Sequence, residues 1–512
     1  MILINSSPKE TLKTLEPFSR PIAPIGIGYI HAALSRYGIK SKIIDEQIEH
    51  HAIDLIMEYI KEMEPPYIFG FSVLTATYRA AINLSKRLKE LYPDSVVCFG
   101  GVHPTVIPEE VLSQKHIDIV IRGEGEKIMP ELYSCIKEGK DFTRLNAISY
   151  KQNGNIIHNK EPIEMEEDMD SLPSFPYHCF NPQRYDLGFV LSSRGCPYRC
   201  IFCSNRPAQG FKYRFRSAGI LAEEIEFLHR KYQKKHIIFL DDNLVVNRER
   251  LYILLDEICK RGLENKVTFN FNARADSVDY ELLKDMFHVG FRSVFFGLET
   301  AEEKLMKTLR KGETVEQCIK AVRMAKQIGY RIIATFIYAL PGETHKDRMK
   351  CIKLSKELKL DLVKFNNATP YPGTALYEIA KKENQLRVHG LYENFITVSA
   401  LVENPFKKIP FSYVPKGNTE NEIRNDILFS HFAFYFDLNK VRNLFFVPTK
   451  GFKFEPGASF MVALKKLFAL FFVFMIFSLK VAQLLFNVLM RRNTTITVSE
   501  FFKYLLWYNF IK

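Results

Sequence analysis

Cys196-Pro197-Tyr198-Arg199-Cys200-Ile201-Phe202-Cys203, introduced by Arg194-Gly195 and following the apolar run Phe189-Val190-Leu191, decides how this chain is read. An apolar run that ends in a loop opened by glycine predicts a strand with a turn at its carboxyl end. Three thiolates on one compact loop can hold three corners of an iron–sulfur cube, and they leave the fourth iron without a protein ligand. Structural zinc closes with four Cys or His ligands grouped in pairs, and no second Cys pair follows at a suitable distance. The bland alternative is three buried thiols, but Pro197 and Arg199 argue for an exposed loop. The other cysteines (Cys98, Cys135, Cys179, Cys259, Cys318, Cys351) have no framework spacing and read as small hydrophobes in a reducing compartment.

With the loop read in this way, CPYRCIFC resembles the CxxxCx(aromatic)C signature of the radical S-adenosylmethionine enzymes. The resemblance implies a [4Fe-4S] cluster on Cys196, Cys200 and Cys203, whose open iron binds the amino and carboxylate groups of S-adenosylmethionine. It implies reductive cleavage to a 5'-deoxyadenosyl radical, fed by an electron donor such as flavodoxin or ferredoxin. Phe202 matches the family aromatic beside the adenine.

Upstream, residues 1–150 alternate apolar strand runs with helical stretches, the pattern of a Rossmann-like α/β domain with helices on both faces of a parallel sheet. Ligands of such sheets sit outside the carboxyl ends of the strands. There the chain places Gly26 to Gly28, Ser72 to Thr75, Gly100-Gly101-Val102-His103-Pro104 and Gly123-Glu124-Gly125-Glu126. Glycines let backbone approach a large ligand, although they also serve tight turns. Together these loops resemble the cobalamin-binding domain that precedes the radical core in one large subfamily, which implies cobalamin contacts at Ser72, Gly100, Gly101, His103, Gly123 and Glu124. The DxHxxG motif, whose His ligates cobalt in many such domains, is absent, and Asp45 with His50 or His51 has the wrong spacing. Cobalamin is therefore expected without that histidine ligand, with His103 a loop residue beside it rather than on the metal.

Residues 151–185 are polar, then Pro-rich, and read as a linker. From 186 to 385 six apolar strands recur, predicting a partial (β/α)6 barrel of TIM type with its chemistry at the carboxyl edge. Asp241, Asn272, Arg274 and Glu299 lie at those edges, and the resemblance places them, with Phe202, around S-adenosylmethionine. Arg274 could pair with a carboxylate and Glu299 could accept from an ammonium or ribose hydroxyl. The alternatives are that Arg274 bridges carboxylates of the protein and that Glu299 caps a helix.

The formal charge of +13 is uneven: residues 411–512 hold 13 Lys/Arg against 6 Asp/Glu. No aromatic-interleaved basic face precedes that tail, so nucleic acid is not an expected partner. Residues 386–512 read as a helical, aromatic and basic region. Leu467 to Leu479 carries no charge, follows Lys465-Lys466 and leads through Lys480 to Arg491-Arg492. A run this short favours a buried or interfacial helix over a span, with contact to an anionic membrane surface through 460–490. The amino terminus lacks a basic segment followed by a long apolar one, which places the chain in the cytoplasm, with peripheral contact on the inner face of the membrane.

The reading adopted is a cobalamin-dependent radical enzyme that methylates an unactivated carbon of a small-molecule or lipid substrate. Cyclase or oxidoreductase chemistry with the same cofactors is the second reading. A cobalamin or redox sensor is the third, and it does not need the polar strand edges.

Overall fold

A computed structural model of the chain describes residues 1–7, 20–159, 165–403, 408–436 and 460–504, leaving out the side chains of 460–474. The first sheet comprises β1 (Ile2–Asn5), β2 (Lys42–Asp45), β3 (Ile68–Ser72), β4 (Val96–Gly100), β5 (Ile119–Ile121), β6 (Ile148–Gln152) and β7 (Asn155–His158). Its order is β2-β1-β3-β4-β5-β6-β7. The first five strands run parallel, and β6 and β7 add an antiparallel hairpin. Ile4, Phe71 and Phe99 are buried in one apolar cluster and Leu3, Cys98 and Ile121 in another. Strands covered on both faces need such near-continuous apolar runs. The order reverses between β1 and β3, and a crevice opens at such a switch point.

The sheet runs past residue 150, so the stretch read as a linker from 151 begins inside a strand. The hairpin turns on Asn153-Gly154, with φ of 51° and 80°. Asn-Gly is the pair a tight hairpin turn selects, because both central residues need positive φ.

The second sheet contains β8 (Phe189–Val190), β11 (His236–Phe239), β12 (Thr268–Ala273), β13 (Phe291–Glu299), β14 (Arg331–Tyr338) and β15 (Leu362–Asn367). All are parallel and ordered as in the chain. With helices between the strands this is the arc of an open (β/α)6 barrel. Between β8 and β11 the short strands β9 (Ser193–Arg194) and β10 (Arg214–Phe215) pair antiparallel and bracket the cysteine loop.

The C-terminal region is bound into both halves. Tyr392 and Phe395 are buried in a core cluster of the first sheet, and Tyr392 donates to Glu110 at 2.6 Å. The helix Glu420–Tyr435 starts with a capping box, Thr419 and Glu422 bonding each other's backbone. It packs on β15 and on the helix His345–Glu357. Beneath it Arg348, 1% exposed, donates Nε to Asp426 at 2.6 Å and a terminal N–H to Glu343 at 3.2 Å. The helix Phe460–Leu489 packs Leu484 and Val488 against Leu428 and Phe429. Lys480, read as an interruption of an apolar face, turns inward and is buried.

Removing one partner of a buried ion pair leaves the others desolvated and uncompensated. Arg348→Met is expected to cost about 3–5 kcal/mol in urea unfolding monitored by circular dichroism, whereas a loss below about 1 kcal/mol contradicts this account of the network.

Candidate active site

The cysteine loop is stitched to three segments that follow strands of the barrel. Ile201 donates its backbone N–H to the Leu309 carbonyl at 3.0 Å and accepts from Leu376 N at 2.9 Å. The Arg274 guanidinium lies over the Tyr198 ring at 3.5 Å from its centroid, and the Tyr198 hydroxyl meets Ser277 Oγ at 3.3 Å. Gly195 has φ +81°, and a Cβ there would stand 2.2 Å from the Lys212 carbonyl oxygen, so only glycine can open the loop.

Cys196, Cys200 and Cys203 are half-buried. Burial pushes the Cys200 thiol up to about 12, against the pull of Lys311 and Arg274 and with Cys203 adding to the rise. Cys203 is raised too, by burial first and also by the nearby charges of Asp242 and Cys196. The three thiols are thus electrostatic neighbours that stay protonated unless a cation takes the place of the protons. Among the described residues no three His, Cys, Asp or Glu side chains close round a single ion. An all-thiol donor set of this kind suits a larger iron–sulfur group.

The strand-edge residues are more fully engaged than their sequence pattern indicates. The Asp241 carboxylate accepts from Ser192 Oγ at 2.6 Å and from Ser193 Oγ, and its burial raises it above the usual range. It ties β11 to the strand entering the cysteine loop. Asp242, not Asp241, faces the open cavity described below. Arg274 is taken up by a bidentate pair with Asp276 at 3.0 and 2.7 Å, so the protein itself supplies the carboxylate expected from a ligand. Glu299, with φ 59°, pairs with Lys311 at 3.0 Å and accepts from Thr335 Oγ1 at 3.3 Å. Lys311 also meets Glu313 at 3.0 Å. Burial opposes its charge, but Glu299 and Glu313 outweigh that and hold it protonated. Glu313 in turn accepts from Ala275 N at 2.6 Å, locking the turn after β12. Lys311 and Glu313 went unread in the sequence, although Lys-Gly-Glu twelve residues past a strand-end glutamate is a usable charge signal.

Groups with capacity left are amides. Asn272 donates to the Asp241 carbonyl at 2.8 Å and keeps its side-chain oxygen. Asn243 Nδ2, just past β11, and Asn366 Oδ1, near the end of β15, are buried without a partner. Buried polar atoms of this kind call for a ligand. Phe202 is partly buried against the barrel core.

A cavity of about 420 Å³ lies where the two sheets meet. Gly26, Ser72, Gly100, Gly101, Gly123 and Glu124 line it from the first sheet, and Leu191, Arg194, Asn205 and Asp242 line it from the barrel. A Cβ on Gly101, at φ +99°, would stand 2.8 Å from the Val73 carbonyl oxygen, so only glycine lets these loops approach, while nothing stands within 4 Å of a Cβ built on Gly26. The rim is a bare backbone cradle that side chains would fill, which fits a broad, flat ligand such as a corrin. No histidine is among its described lining residues. His103, expected in this group, instead turns into the protein. It is fully buried, its ring 4.3 Å from Tyr78 and 5.0 Å from Tyr392, with Nδ1 3.2 Å from Thr75 Oγ1, and burial lowers it to about 3. The short helix Val102–Val106 sets that direction.

The two halves are clamped beside this cavity. Arg194, two residues before the first cysteine, pairs with Glu126 at 2.6 Å and with Glu124 at 3.3 Å. Arg214 holds Glu124 at 2.9 Å. All four side chains are nearly buried. Burial alone would raise the Glu124 carboxyl, but the Arg214 hydrogen bond and the charges of Arg194 and Arg214 outweigh it and hold it below the ordinary value. The charge of Glu124 is therefore committed to the clamp while the residue lines the cavity.

Residues 190–355 match the family model of the Radical SAM superfamily, and residues 16–133 match that of the B12 binding domain. The chain is 33% identical over 369 residues to the uncharacterized methyltransferase PH0819 of Pyrococcus horikoshii, covering 71% of this chain and 79% of the relative. This chain belongs to the cobalamin-binding radical S-adenosylmethionine family. Its cofactors are a [4Fe-4S] cluster, S-adenosylmethionine and cobalamin. The chain is also 24% identical over 441 residues to the anaerobic magnesium-protoporphyrin IX monomethyl ester cyclase of Cereibacter sphaeroides, covering 84% of this chain and 69% of the cyclase. The fold is shared with the radical S-adenosylmethionine methyltransferase TsrM of Kitasatospora setae, solved with cobalamin and a [4Fe-4S] cluster, at a TM-score of 0.63 and 19% identity over 76% of each chain.

Arg194→Gln is expected to leave Glu124 and Glu126 short of charge, loosen the junction and lower corrinoid occupancy, read from the visible absorbance of the anaerobically loaded protein; unchanged occupancy contradicts the clamp. Because the Glu124 carboxyl is depressed, its stabilisation is complete above the unfolded glutamate value of about 4.3 and fades as pH falls through the lower folded value. Urea unfolding monitored by circular dichroism should therefore show this loss only on acidification below that range.

Proposed function

We propose that the chain is a methyltransferase that acts on an unactivated carbon of a small-molecule or lipid substrate. The observation that carries this reading is the cavity shared by the glycine loops of the first sheet and the residues flanking the cysteine loop, because a group seated there faces both halves. The methyltransferase relative supports it. With cofactors bound, the cluster supplies the electron that cleaves S-adenosylmethionine and cobalamin carries the methyl group.

The chain's own residues bind, orient and exclude water. Cys196, Cys200 and Cys203 hold the cluster. Asn272, Asn243 and Asn366 offer the unspent amide groups for S-adenosylmethionine, beside Phe202. Asp241, Arg274 and Glu299 act as positioning residues: Asp241 fixes the strand that enters the loop, Arg274 braces Tyr198 within it, and Glu299 anchors Lys311. Gly26, Ser72, Gly100, Gly101 and Gly123 form the cobalamin cradle. The Arg194 and Arg214 clamp holds the halves in register, and such fixed geometry is worth more to catalysis than any single contact.

Anaerobically reconstituted protein given a reductant such as flavodoxin or ferredoxin and methyl-labelled S-adenosylmethionine is expected to yield 5'-deoxyadenosine and a labelled product. Cys200→Ala should lose the cluster absorbance and 5'-deoxyadenosine while still binding cobalamin. 5'-Deoxyadenosine with an unlabelled, cyclised product would replace methyl transfer by the chemistry named for the cyclase relative.

The same reading includes contact with an anionic membrane surface. Among the described residues no helix is long and apolar enough to cross a membrane. In Phe460–Leu489 and just past its end, Met475, Leu479, Phe486, Leu489 and Met490 are exposed and fall on one helical face. Arg491 and Arg492 follow, exposed, at its end. Apolar insertion beside cations suits an anionic leaflet. The portion of this helix before Met475 lies outside the described side chains. Full-length protein should sediment with anionic vesicles, and the double change Phe486→Glu and Leu489→Glu should abolish this; equal sedimentation of both proteins contradicts the contact.

A further inference from the structure

The inward lysine of the C-terminal helix lies in a charge arrangement that the chemistry above does not use. Lys480 is 4% exposed, and its ammonium donates to the carbonyls of Ala400 at 2.8 Å and Leu401 at 3.0 Å. Those carbonyls end the short helix Ser399–Val402, so they offer partial negative charge but no counter-ion. An ammonium has three N–H groups, and these bonds account for two. The carboxylates nearby are spent on Arg424: Glu403 accepts from Arg424 and from Ile409 N, and Glu420 accepts from Arg424 at 2.6 Å. Among the described residues Lys408 has the Asn421 side-chain oxygen, at 3.0 Å.

A cavity of about 80 Å³ is lined by Lys480, Arg424, Lys408, Glu403, Asn421, Gln483 and Asn487, among others. Arg424 is 3% exposed and its Nε is buried without a partner. Three cations therefore share the cavity with one carboxylate, Glu403, itself paired to Arg424, and amides stand around them. Burial lowers the Lys480 ammonium to about 8, and Arg424 adds to this against the opposing pull of Glu403, as for a cation lacking its counter-ion. A desolvated cation without an anion is costly, and a small oxyanion in the cavity would compensate it.

We infer that this cavity is a binding site for a phosphate-class oxyanion, held by Lys480, Lys408 and the amides of Asn421, Gln483 and Asn487. The same chemistry is presented by free inorganic phosphate and by the headgroup of a phosphate lipid. The site does not depend on the methyltransferase reading, and its helix residues Lys480, Gln483 and Asn487 lie on the face adjoining the apolar stripe.

The full-length, anaerobically loaded protein is titrated calorimetrically with inorganic phosphate in phosphate-free buffer, and in parallel with phosphatidylcholine vesicles carrying phosphatidic acid. Lys480→Met removes the buried cation. Gln483→Glu, on the exposed rim, adds a repelling charge without disturbing the core, so the test does not rest on a buried substitution alone. Saturable binding is expected, weakened about tenfold by Gln483→Glu and lost in Lys480→Met. If free phosphate binds in this way, it is a ligand in its own right; if only the phosphatidic acid vesicles do, the ligand is the lipid headgroup. No saturable binding of either probe, or vesicle binding indifferent to both substitutions, overturns the assignment.

Discussion

Two arginines and two glutamates, almost without water, hold this molecule together at the point where its chemistry is placed. Arg194 meets Glu126 and Glu124, and Arg214 closes on Glu124 from the other side. Arg214 forks onto Glu124 and Arg194 bridges two glutamates, and desolvated guanidinium pairs of this sort fix direction as well as distance. Because Arg194 directly precedes the glycine that opens the cysteine loop, the clamp sets the cluster site against the glycine loops of the first sheet. The helix Val102–Val106 packs on Asn205–Gln209 across the same junction and reinforces it. The cost of burying these charges is offset by their pairing, which is why removing one member is expected to matter more than the pair contributes.

A second layer of charge supports the barrel side. Glu299, Lys311, Glu313, Arg274 and Asp276 form a continuous series beneath the cysteine loop, ending in the guanidinium stacked on Tyr198. Each member is satisfied by the next, so the loop rests on a rigid polar floor instead of an apolar one. The amides left with spare capacity, Asn243 and Asn366, belong to different strand ends and face no such partner. Preorganised donors and acceptors of this type bind a polar ligand without first having to break bonds within the protein.

The local features were legible in the sequence. Three cysteines in eight residues, and four glycine loops after apolar runs, need only nearby residues to be read, and the parallel order of β1–β5 and of the barrel strands follows from strand–helix alternation. The long-range pairings were not. Arg194 and Glu126 are 68 residues apart, and each was read through its glycine neighbours, so nothing in the periodicity joined them. Arg274 and Glu299 were placed beside S-adenosylmethionine by the resemblance, with carboxylate bridging the stated alternative for Arg274, because strand-edge position says where a side chain stands but not whether Asp276 or Lys311 already pairs with it. His103 was misplaced since a five-residue helix, too short to show a period, decides its direction. The Asn153-Gly154 turn was readable and was absorbed into an apparent linker by the polar composition around it. Lys480 looked like a break in an apolar face, and only packing shows that it points inward.

The central claim is that the cysteine loop and the glycine loops of the first sheet would hold the cluster and cobalamin close together beside one clamped cavity. It is tested most directly by electron paramagnetic resonance of the anaerobic protein with the cluster reduced and cobalamin in its paramagnetic cobalt(II) state. The account predicts that the reduced cluster broadens and quickens the relaxation of the cobalt signal, and that the effect weakens in Arg194→Gln. A cobalt signal unchanged by reduction of the cluster would contradict it.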